Sequence, residues 1–285
     1  LHAALPISES LPRPSPAAAR MLSVTAAQLD AWLAALMFPL GRLLGLFASA
    51  PVFSNRGVSV RIRLAIGLGV AMAVLPVLPP MPQVPPGGGL GLAIFAQQIL
   101  IGIAIGFVMR IVFAAVDMAG ALIGMQMGLS FAIFFDPDAG SQTAVLSDFL
   151  NLLATLIFLA IDGHLLMIDL LVRSFEWLPV ATDAVDAGGW AFLARSGITV
   201  FAAGLLLSLP VIAVLLVANI ALGVLTRAAP QLNLFAVGFP ITLTAGFIGV
   251  LLIMSNFAPV LQSLFERSFD TIGLLLDALA PRPAP

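Results

Sequence analysis

The sequence predicts an all-α fold: a polytopic membrane protein of long hydrophobic helices. Three observations predict it. Of 285 residues, 61% are hydrophobic and 9% are charged, against about 25% charged in soluble domains. Apolar stretches recur at or near the roughly 20 residues that a helix needs to cross a bilayer. No strand alternation persists, and backbone groups in lipid must be satisfied internally, which leaves helices. The same composition excludes other classes. A net charge of -2 offers no basic surface for nucleic acid. Without cysteine there is neither a disulfide framework nor a cysteine metal site. No Walker loop, HExxH or nucleotide fingerprint occurs, so no cofactor or metal is expected.

The elements follow in order. Residues 1–20 are rich in Pro, Ser and Ala and lack an initiating methionine. With no basic n-region and no long apolar run they are not a signal peptide. They are read as a non-native or disordered leader before Met21. The first span is expected at 32–53 and the second at 64–78. The second ends in PVLPPMPQVPPGGG, where each proline lacks an N–H donor and clashes with the preceding turn. The third runs from 90 to 129 as one long helix, or as two with a break near Asp117. The fourth covers 145–171. The fifth covers 192–225, with a bend expected at Pro210. The sixth covers 235–264, bounded or kinked by Pro240 and Pro259, and a short amphipathic segment follows at 265–279. Arg56, Arg61 and Arg63 cluster after the first span. The positive-inside rule puts them in the cytoplasm, with the N-terminus outside and Arg227 inside.

The most unusual stretch is GALIGMQMGLSFAIFFDP, residues 120–137. Gly120, Gly124 and Gly128 recur every four residues, a smooth ridge that another backbone can approach. Met125 and Met127 follow it, then Phe131, Ile133, Phe134 and Phe135. Flexible methionine beside bulky phenylalanine can close a gap yet yield to a passing object, and apolar constrictions also exclude ions. A movable seal and a plainly packed helix end both fit. The pairs Gly41/Gly45 and Gly102/Gly106 indicate helix packing alone.

Charges inside apolar spans are costly. They include Arg42, Arg110, Asp117, Asp162, Asp169 and Arg173. They form no continuous relay, so the reading is that these faces meet polar protein or water and not lipid. Asp169 and Arg173 are spaced to pair on one helix. A serine protease would need Ser130 and His164 within hydrogen-bond reach, and Phe131 stands where a small residue is expected. A small-molecule or ion transporter is the other alternative, but no inverted repeat of broken helices points to it.

Several stretches together resemble the FliR family, flagellar biosynthesis proteins of the type III export apparatus, and their virulence-secretion counterparts. These are FPLGRLLGLFASAPVFSNRGVSVRIRLAIGL, MQMGLSFAIFFDP, LIFLAIDGHLLMIDLLVRSF, LPVIAVLLVANIALGVLTRAAPQLNLFAVGFPITLTAGF and the C-terminal tail. The GLSFA and PQLNLFAVGFP wording looks more like the flagellar branch.

The resemblance implies a P-like N-terminal part at 21–190 fused to a Q-like helical hairpin and tail at 191–285. It implies a ring with P-type and Q-type subunits, forming a closed gate in the inner membrane at the flagellar basal body. Unfolded flagellar proteins would pass through that gate. It implies that the loop after the third helix plugs the channel, with Phe131 and Phe134 as stoppers and Gly128 as hinge. With the resemblance, the seal reading leads. Arg227, Pro230, Gln231 and Asn233 fall in the turn between the Q-like helices. There they are expected to contact neighbouring Q-like subunits or the large export-platform protein. On this reading the chain is not an enzyme.

Overall fold

The structure, a computed structural model, describes residues 25–54, 57, 59–129, 145–231 and 234–281. Helix α1, Ala26–Ser49, starts on a capping box. The Gln28 backbone N–H donates to Thr25 Oγ1 and the Thr25 N–H donates to Gln28 Oε1, satisfying two of the first-turn donors. Helix α2, Val60–Val74, is capped by Ser59 and closes in a short 3-10 turn before the proline stretch. Helix α3, Gly89–Gln126, has 38 residues, about 57 Å at 1.5 Å per residue. Helices α4, Val145–Ala160, and α5, Gly163–Trp177, meet at a bend of 64°. Helices α6, Ala187–Ser196, and α7, Ile198–Ala228, join at Gly197. Helix α8, Leu234–Leu279, has 46 residues. No strand occurs among the described residues. Five helical stretches are long and apolar enough to cross a membrane, or six if the bent α4–α5 pair counts as one. The chain is an all-α polytopic membrane protein.

The third span takes the first of its two expected forms, one long helix, and two other features differ from the expected spans. Helix α3 continues unbroken past Asp117, because a charge does not remove a backbone bond. The Asp117 carboxylate accepts from Asn151 Nδ2 at 3.1 Å on α4 instead. The fourth span breaks at Asp162, whose φ of 56° puts a non-glycine residue in the left-handed region. Pro240 and Pro259 leave α8 in one piece, and the amphipathic tail is its last four turns. That tail buries Phe265, Ile272, Leu275, Leu276 and Leu279 completely.

Close contacts fix the directions of the helices. Gly41 faces Phe95, Gly45 faces Ile99 and Gly102, and Ser49 faces Gly106, so α1 and α3 run parallel. Helix α2 returns between them in sequence, with Gly67 against Leu43 and Leu44. Ser147 sits on Gly120 and Phe158 on Phe113, so α4 descends beside α3. Gly204 of α7 meets Ala115 and Met118 on the way up. On the way down, Gly246 of α8 meets Met127 and Phe265 meets Phe113. Helix α3 is therefore the mast: α1 and α7 run with it, α4–α5 and α8 against it. The parallel course of α1 and α7 sends the Arg61/Arg63 start of α2 and Arg227 towards the same side.

Candidate functional site

The end of α3 is built around a change of direction. The Met127 N–H donates to the Ile123 carbonyl at 2.9 Å and the Gly128 N–H donates to the Met125 carbonyl at 3.1 Å. Gly128 then takes a φ of 82°. A residue without Cβ enters that region freely, which makes it the usual stop after a helix. The chain thus leaves α3 at Gly128 because the sequence supplies a glycine there.

Met125 and Met127 are two residues apart and so point to opposite sides of the helix end. Met127 is fully buried and Met125 is 57% exposed. The Met127 side chain lies flat on Gly246 of α8, where a Cβ would strike its Sδ and Cε. The Thr242 hydroxyl donates to the Met127 carbonyl at 3.3 Å, which ties the last turn of α3 to α8. On the other flank the Ser147 hydroxyl of α4 donates to the Asp117 carbonyl at 2.8 Å. The backbone of Ser147 sits against Gly120 with no room for a side chain. Gly120 thus carries the close approach expected of the ridge. Gly124 does not, since the nearest group to its open side is Leu129 at 3.9 Å. The segment between these two anchors, with Ser130, Phe131, Ile133, Phe134 and Phe135, lies outside the described residues.

The second expected site is separate. Arg227, in the last turn of α7, and Pro230 and Gln231, in the turn after it, are all exposed; Asn233 lies outside the described residues. Val211 of α7 packs on Gly249 of α8, about one turn short of the level of Met127 on Gly246. Arg227 is a further 16 residues along α7, about 24 Å of helix. The turn therefore projects well beyond the end of α3.

Gly45 and Gly102 do more than their spacing suggests. A Cβ on Gly45 would enter the Ile99 carbonyl, and one on Gly102 would enter the Arg42 carbonyl. Two small-residue pairs interlock, and the α1 and α3 backbones touch. That closeness buries Arg42 completely. Its Nε donates to Gln98 Oε1 at 2.8 Å, Nη1 to Ser174 Oγ at 2.8 Å, and Nη2 to Gln98 Oε1 at 2.5 Å and to the Leu178 carbonyl at 2.9 Å. The guanidinium also lies 4.0 Å over the centre of the Phe175 ring, a favourable cation–π position. One arginine thus pins α1 to α3 and to the end of α5. Sequence reasoning marks Arg42 as costly but misses Gln98, Ser174 and Phe175. The usable signal is Gln98, one of the few polar residues in α3.

The other charges divide. Asp169 and Arg173 pair at 2.8 Å on an exposed face of α5, as spaced. His164 begins α5, half-buried, beside the Asp162 bend. Among the described residues no cluster of three or more His, Cys, Asp or Glu is placed to hold a metal.

The family model for bacterial export proteins, family 1, matches residues 33–268. The chain belongs to that family. It is 42% identical over 260 residues to the flagellar biosynthetic protein FliR of Pectobacterium carotovorum subsp. carotovorum, covering 91% of this chain and 99% of that protein. Its identity to the Escherichia coli (strain K12) FliR is also 42%, over 259 residues, with the same shares covered. The Bacillus subtilis (strain 168) FliR is 29% identical over 238 residues, 82% of this chain and 92% of that protein. This family member is therefore FliR-like from α1 through α8. It is a flagellar export component with the membrane helices such a role requires.

Proposed function

We propose that the chain is a subunit of the flagellar protein-export gate in the bacterial inner membrane. It assembles with P-type and Q-type subunits around a closed passage for unfolded axial proteins. The α3 end and the segment after it form the movable seal. The part at 21–190 plays the P-like role and the part at 191–285 the Q-like role. The chain performs no catalysis; transport is driven by other parts of the apparatus.

The observation that carries this reading is the helix exit at Gly128. A glycine at φ 82° follows a methionine locked to α8, and the run Phe131, Ile133, Phe134, Phe135 comes next in the chain. Rigid anchors at Met127 and Ser147 would let the aromatic segment swing while the helices stay fixed. Met125, exposed beside the exit, supplies an adaptable thioether surface there. The turn with Arg227, Pro230, Gln231 and Asn233 is the contact for neighbouring Q-type subunits or the large export-platform protein.

Deleting residues 131–135 tests the seal. Cells carrying the deletion should leak ions or small solutes across the inner membrane while the chain accumulates normally. Unchanged conductance would remove the seal from the account.

A further inference from the structure

A cleft of about 600 Å³ opens between α3, α7 and α8, within the range of small-molecule sites. It plays no part in the gate described above. Its lining changes character along its length. At one end lie Thr199, Arg267 and Thr271; at the other lie Leu206 and Val260, with Ile111 as the floor. Helix α7 ascends through 199 to 206 and α8 descends through 260 to 271, so both walls grade from polar to apolar in the same direction.

The charges agree with that gradient. Between Arg195, in the last turn of α6, and Arg227, in the last turn of α7, no charged residue occurs, and on α8 none precedes Glu266. The charge-free faces of the hairpin therefore begin where the polar end of the cleft stops. Arg267 lines that end, is exposed, and makes no ion pair among the described residues. Arg110 and Arg195 neighbour the lining residues Ile111 and Ser196 in sequence and are exposed too. Glu266 and Asp270 flank Arg267 on α8 but do not line the cleft. The Thr199 hydroxyl has no hydrogen-bond partner among the described residues. A cation and a free hydroxyl suit a phosphate oxygen, and the apolar remainder suits hydrocarbon.

We infer that this cleft binds one anionic phospholipid, its phosphate at Arg267 and Thr199 and an acyl chain along Leu206 and Val260. The lipid would wedge the α7–α8 hairpin against α3 and close an apolar gap that side chains leave open. This inference stands apart from the seal, since it invokes none of residues 125–135.

The test uses the full chain, with its co-purifying subunits, in phosphatidylcholine nanodiscs doped with a diazirine-acyl phosphatidylglycerol. After illumination, adducts should map to α7 near Leu206 and α8 near Val260. Arg267→Gln should reduce labelling about fivefold, the worth of one basic side chain at an anionic lipid, and Arg267→Lys should largely restore it. Ala202→Phe places a ring at an exposed lining position and should block labelling without disturbing the core. A diazirine-acyl phosphatidylcholine should label weakly, and millimolar inorganic phosphate should not compete. Equal labelling by both lipids, indifferent to Arg267→Gln, would reduce the site to bulk boundary lipid and overturn the inference. Loss of labelling to inorganic phosphate alone would also overturn it, leaving an anion site without a chain. So would a photo-crosslinker at Ala202 that captured another polypeptide.

Discussion

The α1–α3 pair and the α7–α8 hairpin are both long and apolar, yet they satisfy that apolarity in opposite ways. In α3, 67% of the most apolar window is buried within the chain; in α6–α7 the share is 28% and in α8 it is 22%. The α1–α3 seam is closed by glycine against backbone, with a buried arginine beneath it that makes four hydrogen bonds. The hairpin leaves Val217, Leu251 and Leu252 at 66–71% exposure. Exposed apolar area of that extent marks a surface for lipid or for other subunits. The first region is thus buried within the chain, with α4, α7 and α8 covering the faces of α3 that α1 leaves open. The second leaves its apolar surface open to its surroundings, which suits the Q-like role proposed for it.

The largest effect should come from closing the seam to close approach. Gly102→Leu places a side chain where the Arg42 carbonyl now sits. Overpacking usually costs about 1–3 kcal/mol, and here backbone, not a side chain, must move. The expected outcome is loss of folded chain in thermal melts in detergent and loss of motility. A variant that melts like the parent would show that the seam is not what holds α1 to α3.

Next comes Arg42→Met. It strands Gln98, Ser174 and the Leu178 carbonyl and removes the stack on Phe175. Hydrogen bonds to a charged group are worth about 1.5–3 kcal/mol, so a loss of roughly 3 kcal/mol is expected in denaturant titrations. Arg42→Lys should recover only part of it, because lysine cannot span Gln98 and Ser174 with one planar fork. A neutral result would mean that the cluster merely fills space.

Much of this division is legible in the amino-acid sequence, and the part that is not has a physical cause. Helix α3 announces itself by an apolar run too long for one crossing. The interlock of Gly41/Gly45 with Gly102/Gly106 does not, because a small-residue pair names no partner. Arg42 is visible as a cost, while its acceptors sit 56, 132 and 136 residues away. The bend at Asp162 is hidden because apolar composition runs through it. It is a backbone event, a single residue at φ 56°. Pro240 and Pro259 mislead in the other direction, since α8 absorbs both without ending. At the candidate seal the residue types are readable, but the opposed fates of Met125 and Met127 depend on where α8 passes.

The mildest perturbation separates scaffold from seal. Gly128→Val forces a β-branched residue to φ 82°, a strain of about 1–2 kcal/mol. It should leave accumulation and co-purification near normal while swimming motility falls sharply. Normal motility would confine Gly128 to an ordinary helix stop.

The contrast between the two regions is tested most directly by a photo-crosslinking amino acid placed at Val217 and, separately, at Ala104, with the chain in its native membrane. Val217 is 68% exposed on α7 and Ala104 is buried on α3. The account predicts that Val217 captures other export-apparatus chains, and that Ala104 crosslinks only within its own chain. Capture of lipid alone at Val217, or of another chain at Ala104, would contradict it.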